Sequence, residues 1–348
     1  MADRLLPEWY PQDAVQLTWP ARDSDWASLM ERIEVTLEAM VVAIARYQAV
    51  LISVPDTATR THLANRFDAL GVCAVRLRLV VAPADDTWAR DHGPIIVATD
   101  DGFRVLNFRF NAWGNKFSWE KDNALNQRLA GAGVFGNHRL HSLDMVLEGG
   151  SIESDGQGTL LTTEACLLNP NRNPDVDRTA LEAHLKAELG VSRVLWLANG
   201  HLEGDDTDSH VDTLVRFCDP ATLAYVRCDD PGDSHYPALA ALETELQALR
   251  RADGEPYRLV ALPWPRPCHD PVDGHRLPAT YANFLIINGA VLVPIYGSDA
   301  DSRALAVLGG AFPGRDIIPI DCLSVIRQHG SLHCLTMQLP RGSLANQT

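Results

Sequence analysis

The chain has 348 residues, of which 46% are hydrophobic and 22% charged, with a formal net charge of −15. These are ordinary globular values for a chain that can bury a sizeable core, and length alone allows two or three domains. The acidic balance lacks the clustered Lys and Arg of a nucleic-acid footprint, and it suits a small cation, whose local concentration a negative field raises.

Residues 14–19 read as an extended segment. A helix follows, with Asp23 or Ser24 as its cap, because Trp26, Met30, Ile33, Leu37, Val41 and Ile44 recur at three- and four-residue spacing. Residues 49–54 form a short apolar strand that stops at Pro55. Leu63, Phe67 and Leu70 mark a second amphipathic helix ending at Gly71, and residues 75–81 are the next strand. Further on, helices are predicted over 178–189, 237–251 and 302–308. Strands are predicted over 159–163, 194–197, 213–217, 258–262, 284–287 and 291–295. This alternation defines the α/β class. No fixed-period repeat and no Pro-, Gly- or Ser-rich linker divides the chain, so one domain over residues 1–348 is expected.

No apolar run approaches the roughly 18 to 20 residues of a bilayer span. Met1-Ala2-Asp3-Arg4-Leu5-Leu6-Pro7 lacks the basic-then-apolar layout of a signal peptide, so a cytoplasmic protein without a membrane partner is expected. The cysteines at 73, 166, 218, 228, 268, 322 and 334 are odd in number and never form a C-x-x-C pair. That is neither a disulfide framework nor a zinc ribbon.

Four segments break the periodic pattern and crowd polar residues beside glycine or at strand edges. They are Asp85-Asp86-Thr87-Trp88-Ala89-Arg90-Asp91-His92-Gly93-Pro94, Glu148-Gly149-Gly150-Ser151, Asp205-Asp206-Thr207-Asp208-Ser209-His210-Val211-Asp212, and His329-Gly330-Ser331-Leu332-His333-Cys334. Loops on a rigid scaffold commonly carry function. Their residue types match what hydrolysis of a guanidinium requires. That group is planar, permanently cationic and rich in N–H donors, so carboxylates bind it through paired hydrogen bonds. Its carbon is resonance-stabilised, and a thiolate attacks it better than water does. Ammonia must leave protonated, which calls for a histidine oriented by a third group.

The ordered set of motifs resembles the agmatine deiminase and bacterial-type peptidylarginine deiminase family of guanidine-modifying enzymes. The matching stretches include Glu8-Trp9, Trp19-Pro20, Trp88-Ala89-Arg90-Asp91-His92-Gly93-Pro94, Phe110-Asn111-Ala112-Trp113-Gly114 and Glu148-Gly149-Gly150-Ser151-Ile152-Glu153. Leu161-Thr162-Thr163-Glu164, Asn169-Pro170-Asn171-Arg172-Asn173-Pro174, His210-Val211-Asp212 and His333-Cys334-Leu335-Thr336 with Gln338 complete the set nearly end to end. The resemblance implies a pseudo-five-fold α/β propeller of strand-strand-helix-strand units around a central channel, with no metal and no organic cofactor. It implies Cys334 as nucleophile, His210 as general acid/base with Glu148 as its partner, and Asp91 and Asp212 as the clamp on the guanidinium. The leading expectation is agmatine converted to N-carbamoylputrescine, with peptidylarginine deimination to citrulline as the alternative. A homo-oligomer is allowed by this reading.

For the tail of agmatine, Trp88 and Trp113 could supply cation–π contacts worth about 0.5 to 2 kcal/mol, and Asp206 or Asp208 an anion. Where the family carries a glycine-rich run before its Ile-His-Cys, this chain reads Gln328-His329-Gly330-Ser331-Leu332, a departure that bears on substrate. Asp206, Asp208, His210 and Asp212 alternate and could instead gather one cation, which leaves a metal-dependent hydrolase as the reading from another class. A non-catalytic binding protein for cationic ligands is a third. Cys268, His269 and His275 sit among prolines without ligand spacing and read as a solvated loop, while His92 and His333 read as structural.

Overall fold

In the computed structural model, which describes residues 3–345, apolar spacing becomes buried faces. The helix Met30–Ala45 turns Met30, Ile33, Leu37, Met40, Val41 and Ile44 inward. It starts through a 3-10 turn, Ala27–Leu29, with no side-chain cap, and Ser24 Oγ donates back to the Ala21 carbonyl instead. The capping carboxylate lies on the next helix, Thr57–Ala69, where Asp56 accepts from the Thr59 N–H at 2.6 Å. Among the described residues, no helix is long and apolar enough to cross a membrane. Met1 and Ala2 of the N-terminal reading lie outside the described residues.

The fold is mixed α/β, built from several small sheets, and one connection pattern recurs five times. Ile95–Thr99 pairs antiparallel with Gly102–Arg109, which pairs parallel with Leu140–Val146. Ile152–Ser154, Thr159–Thr163 and Arg193–Leu197 repeat this, with the helix Arg178–Leu189 as crossover. Val215–Asp219, Thr222–Val226 and Arg258–Leu262 follow, with Tyr236–Ala248 between the last two. Leu285–Ile287, Ala290–Ile295 and Asp316–Asp321 come next, crossed by Asp301–Ala311. The fifth sheet joins the two ends of the chain: Thr336–Pro340 pairs with Gln12–Thr18, which runs parallel to Ala49–Val54 and then Leu77–Val81. A parallel neighbour requires a crossover connection, and a helix supplies it in each unit. The repetition is structural only, since the five units share no visible sequence period.

Several strands escaped the sequence reading for identifiable reasons. Leu140–Val146 has no clean in–out alternation, and Asp316–Asp321 carries Pro319, which an edge strand tolerates. The predicted strands over 75–81 and 213–217 begin as 3-10 turns, Ala74–Arg76 and Val211–Thr213, before Leu77–Val81 and Val215–Asp219.

The sheets meet at one buried carboxylate. Glu8 Oε2 faces His333 Nε2 at 2.6 Å and Arg90 Nη2 at 3.2 Å. Its Oε1 accepts from the Ile286 N–H at 2.7 Å and lies 3.0 Å from Arg216 Nη2. Arg216, fully buried, also pairs with Glu153 and donates to the carbonyls of Phe284 and Ala282. Every one of the five sheets therefore contributes to this cluster or adjoins a residue that does. Burial alone would raise the Glu8 pKa, but Arg216, His333 and Arg90 outweigh it and hold the carboxyl well below its usual range. A folded pKa below the unfolded value of about 4.3 adds stability that is present above that pH and is lost as pH falls through the folded value. Glu8→Gln is expected to cost about 3 to 5 kcal/mol at neutral pH, because it strands buried cations. Urea unfolding of both proteins checks this, and the difference should persist down to about pH 4.

Candidate active site

Four of the five sheets are preceded by a short helical turn that carries the candidate chemistry. Ala89–His92 leads into Ile95–Thr99 and holds Asp91. Glu148 immediately precedes the turn Gly149–Ser151, ahead of Ile152–Ser154. His210 caps the turn Val211–Thr213, which contains Asp212, and His333–Leu335 contains Cys334 ahead of Thr336–Pro340. The remaining sheet contributes Asn283, just before Leu285–Ile287. Gly150 shows how closely these turns converge. A β-carbon there would lie 2.6 Å from His210 Nδ1, 2.8 Å from Asp91 Oδ1 and 3.2 Å from Asp212 Oδ2. Only glycine leaves room for the three functional groups.

Cys334 is buried, with Sγ 3.4 Å from Asn283 Oδ1 and 3.9 Å from Asp212 Oδ2. Burial, then Asp212 and Asp91, pushes its thiol pKa well up. Asp91 Oδ2 accepts from Trp113 Nε1 and Oδ1 from the Gly150 N–H, both at 3.1 Å. Burial, with the nearby Asp212 and Glu148 charges, pushes its carboxyl well above the usual range. Asp212 goes the other way. Burial would raise it, but the 2.7 Å hydrogen bond from His333 Nδ1 and the positive charge there hold it below its ordinary value. Each ring nitrogen of His333 therefore faces a carboxylate, Nδ1 that of Asp212 and Nε2 that of Glu8.

His210 is fully buried and neither ring nitrogen has a hydrogen-bond partner; Nδ1 is 3.5 Å from Asp91 Oδ1. Burial pushes its pKa down to about 3, so the ring is neutral at rest. Glu148 gives Oε1 to Arg172 Nε at 3.0 Å, while Oε2 is unpartnered. The hydrogen bond expected between Glu148 and His210 is not formed, although Glu148, His210 and Cys166 bring ligand-type atoms within 4.8 Å of one another. That is the grouping of metal-ligand type among the described residues, and it is not the alternating acidic set. Asp208 pairs with Arg172 and Lys116, and Asp212 pairs with His333.

Cys334, Asp91, Trp88, Trp113, Asp206 and His329 line one cavity. Trp88 and Trp113 meet edge to face with centroids 6.5 Å apart, forming an aromatic wall. Asp206 lines this cavity, and burial pushes its pKa up to about 6. Asp208 does not line it, since Arg172, Asn171 and Lys116 occupy its carboxylate. The described non-glycine residues at positive φ are Ala112, Trp113, Asn115, Asp208, Ser209 and His329, of which Trp113 and His329 line this cavity. Strained backbone of this kind gathers at functional sites.

Sequence reasoning missed Asn283, whose Oδ1 accepts from the His333 N–H at 2.8 Å and the Cys334 N–H at 3.3 Å. It also gave no role to Glu8, Arg172 or Cys166. The available signal was position, because Asn283 stands before a predicted strand as the other site residues do.

A buried thiol, a neutral imidazole and opposed carboxylates at the heads of repeated small sheets define a guanidine-modifying type of site. The profile of the Porphyromonas-type peptidyl-arginine deiminase family matches residues 4–340, and the chain belongs to that family. It is 34% identical to the agmatine deiminase of Stutzerimonas stutzeri, over 96% of this chain and 94% of that one. Among solved structures, a candidate arginine deiminase from Porphyromonas gingivalis is 49% identical with a TM-score of 0.90, covering 99% of this chain and 100% of that one. A cysteine-to-serine variant of the C. jejuni agmatine deiminase, with substrate bound, is 36% identical, with a TM-score of 0.89 and coverage of 98% and 97%.

The raised thiol pKa sets a measurable expectation. Without substrate, alkylation of Cys334 by iodoacetamide should keep accelerating beyond about pH 8.5, where an ordinary thiol levels off. Mass spectrometry of the Cys334 peptide checks this, and a plateau near neutral pH would contradict it.

Proposed function

We propose that this protein hydrolyses the guanidinium group of agmatine to N-carbamoylputrescine and ammonia. The observation that carries the reading is a cavity lined by Cys334, Asp91 and Asp206, with Asp212 3.9 Å from the Cys334 sulfur and His210 3.5 Å from Asp91. The cationic guanidinium sits between Asp91 and Asp212 and supplies the positive charge that their surroundings lack. That charge lowers the Cys334 pKa, and His210 takes the thiol proton. Sulfur attacks the guanidinium carbon, and His210 returns the proton to the departing nitrogen, releasing ammonia and leaving an alkylthiouronium on Cys334. Water then attacks the same carbon, giving up its proton to His210. The C–S bond breaks, the thiol is restored, and the ureido product leaves. Glu148, with its free Oε2, stabilises the imidazolium that forms at His210. No step uses a metal or organic cofactor.

The tail end of the cavity favours an amine over free arginine. A site for the α-carboxylate of arginine would offer an unpaired guanidinium, but Arg90, Arg172 and Arg216 are each committed to internal carboxylates. The family description keeps peptidylarginine as the second reading. The five repeated units support a pseudo-five-fold propeller and one catalytic domain over the whole chain.

The discriminating assay measures ammonia and ureido product from agmatine, free arginine and an arginine peptide side by side. Agmatine should give the highest kcat/KM; if the peptide matches it, the chemistry stands and the substrate changes. Ammonia release by purified Cys334→Ala would sink the nucleophile assignment. Asp91→Asn removes one arm of a buried clamp, a loss of about 3 to 5 kcal/mol, so kcat/KM should fall several hundred-fold or more. A fall of less than tenfold would remove Asp91 from that role.

A further inference from the structure

The segment before the nucleophile places a histidine where backbone geometry favours glycine. His329 has φ of 68° and ψ of −6°, in the left-handed region where a β-carbon crowds the backbone. The neighbouring residues fix this conformation. Gln328 Nε2 donates to the Asp25 carbonyl at 3.0 Å, Arg327 pairs with Asp270 at 2.9 Å, and Gly330 lies against Trp88 so closely that a β-carbon would approach its ring to 2.3 Å. The imidazole is therefore held in a set direction at the wall of the substrate cavity, which it shares with Asp206.

Its tautomer follows from its partner. Nδ1 lies 2.8 Å from the carbonyl oxygen of Gly204, which can only accept, so Nδ1 carries the hydrogen. In the neutral ring, Nε2 then presents a lone pair. The ring also stacks on His275, with centroids 5.6 Å apart at 22°, and His275 Nδ1 is held by Asp273 at 2.5 Å. The other charges around this end of the cavity are the Asp25 and Asp86 carboxylates in its wall and Lys116, which is engaged by the Asp206 carbonyl and the Asp208 carboxylate. An acceptor nitrogen, a carboxylate and an aromatic wall together suit a primary ammonium.

We propose that His329 is a specificity-determining residue, whose Nε2 lone pair acts with the Asp206 carboxylate to receive the terminal ammonium of an aminoalkylguanidine. This rests on the agmatine reading and adds to it the residue that tells the amine tail from an uncharged one. The competing role is a purely structural latch between the loops at Gly204 and His275, which would be blind to the substrate's tail.

The test compares agmatine with butylguanidine, which has the same four-carbon chain without the amine, at about pH 8.5, above the range in which imidazoles ordinarily titrate. Wild type, His329→Gly and His329→Gln are measured. His329→Gly should raise KM for agmatine about tenfold, the scale of one hydrogen bond to a charged group, and leave kcat within about twofold. Butylguanidine kinetics should move by less than about twofold, because no ammonium is lost. His329→Gln keeps a neutral acceptor and the β-carbon, so it should restore most of the preference; it also reports on the acceptor if glycine loosens the loop. Equal effects of both variants on the two substrates, or no effect on either, would overturn the proposal while wild type still prefers agmatine. A wild type that does not prefer agmatine over butylguanidine overturns the agmatine reading itself, and His329's role with it.

Discussion

The architecture depends on satisfying the negative charge of Glu8 in the interior. A carboxylate out of water needs close cations and hydrogen-bond donors, or it takes up a proton. Arg90, Arg216, His333 and the Ile286 N–H meet that need, and each comes from a different stretch of chain. Satisfying one group thereby fixes the relative positions of small sheets that share no hydrogen-bonded strand pair. Because His333 adjoins Cys334 and also reaches Asp212, the same charge network that joins the sheets sets the positions of both residues. Structure and chemistry share these residues.

Two aspartates of the same intrinsic acidity take opposite characters in this environment. Asp212 receives a strong donor from His333 and is held as the anion, whereas Asp91 faces Asp212 and Glu148 in a dry site and holds its proton more tightly than usual. Surroundings that push like groups apart are a general device for assigning acid and base roles. The resting thiol and imidazole are both driven toward neutrality by burial, so neither Cys334 nor His210 supplies positive charge to Asp91. In the proposed function a guanidinium fills that deficit, which would link recognition of the substrate to activation of Cys334.

Much of the secondary structure was readable along the chain. The helix Met30–Ala45 and the strand Ala49–Val54 follow from apolar spacing that one face or one strand can bury alone. Cys334, His210, Glu148, Asp91 and Asp212 were picked out because thiol, imidazole and carboxylates match the needs of guanidinium hydrolysis and the ordered motifs resembled a known family. In the structure Cys334 and Asp91 line one cavity, with Asp212 and His210 beside them and Glu148 next along the buried cluster. Trp88, Trp113 and Asp206 also line the cavity, while Asp208 turns to Arg172 and Lys116.

What escaped sequence reading required distances between remote residues. Asn283 is an unremarked amide until it is seen to hold the backbone of Cys334, 51 positions away. The partners of the Glu8 carboxylate are remote in sequence, its hydrogen bond to Ile286 spanning 278 positions and that to His333 spanning 325. The choice between Asp206 and Asp208 depends on which carboxylate Arg172 and Lys116 reach first. The sequence by itself determined the periodic elements and the kinds of reactive group, because spacing and side-chain chemistry are local properties. Only the tertiary structure decided which of those groups meet, which are neutralised and which stay free, because burial and charge pairing depend on the whole fold.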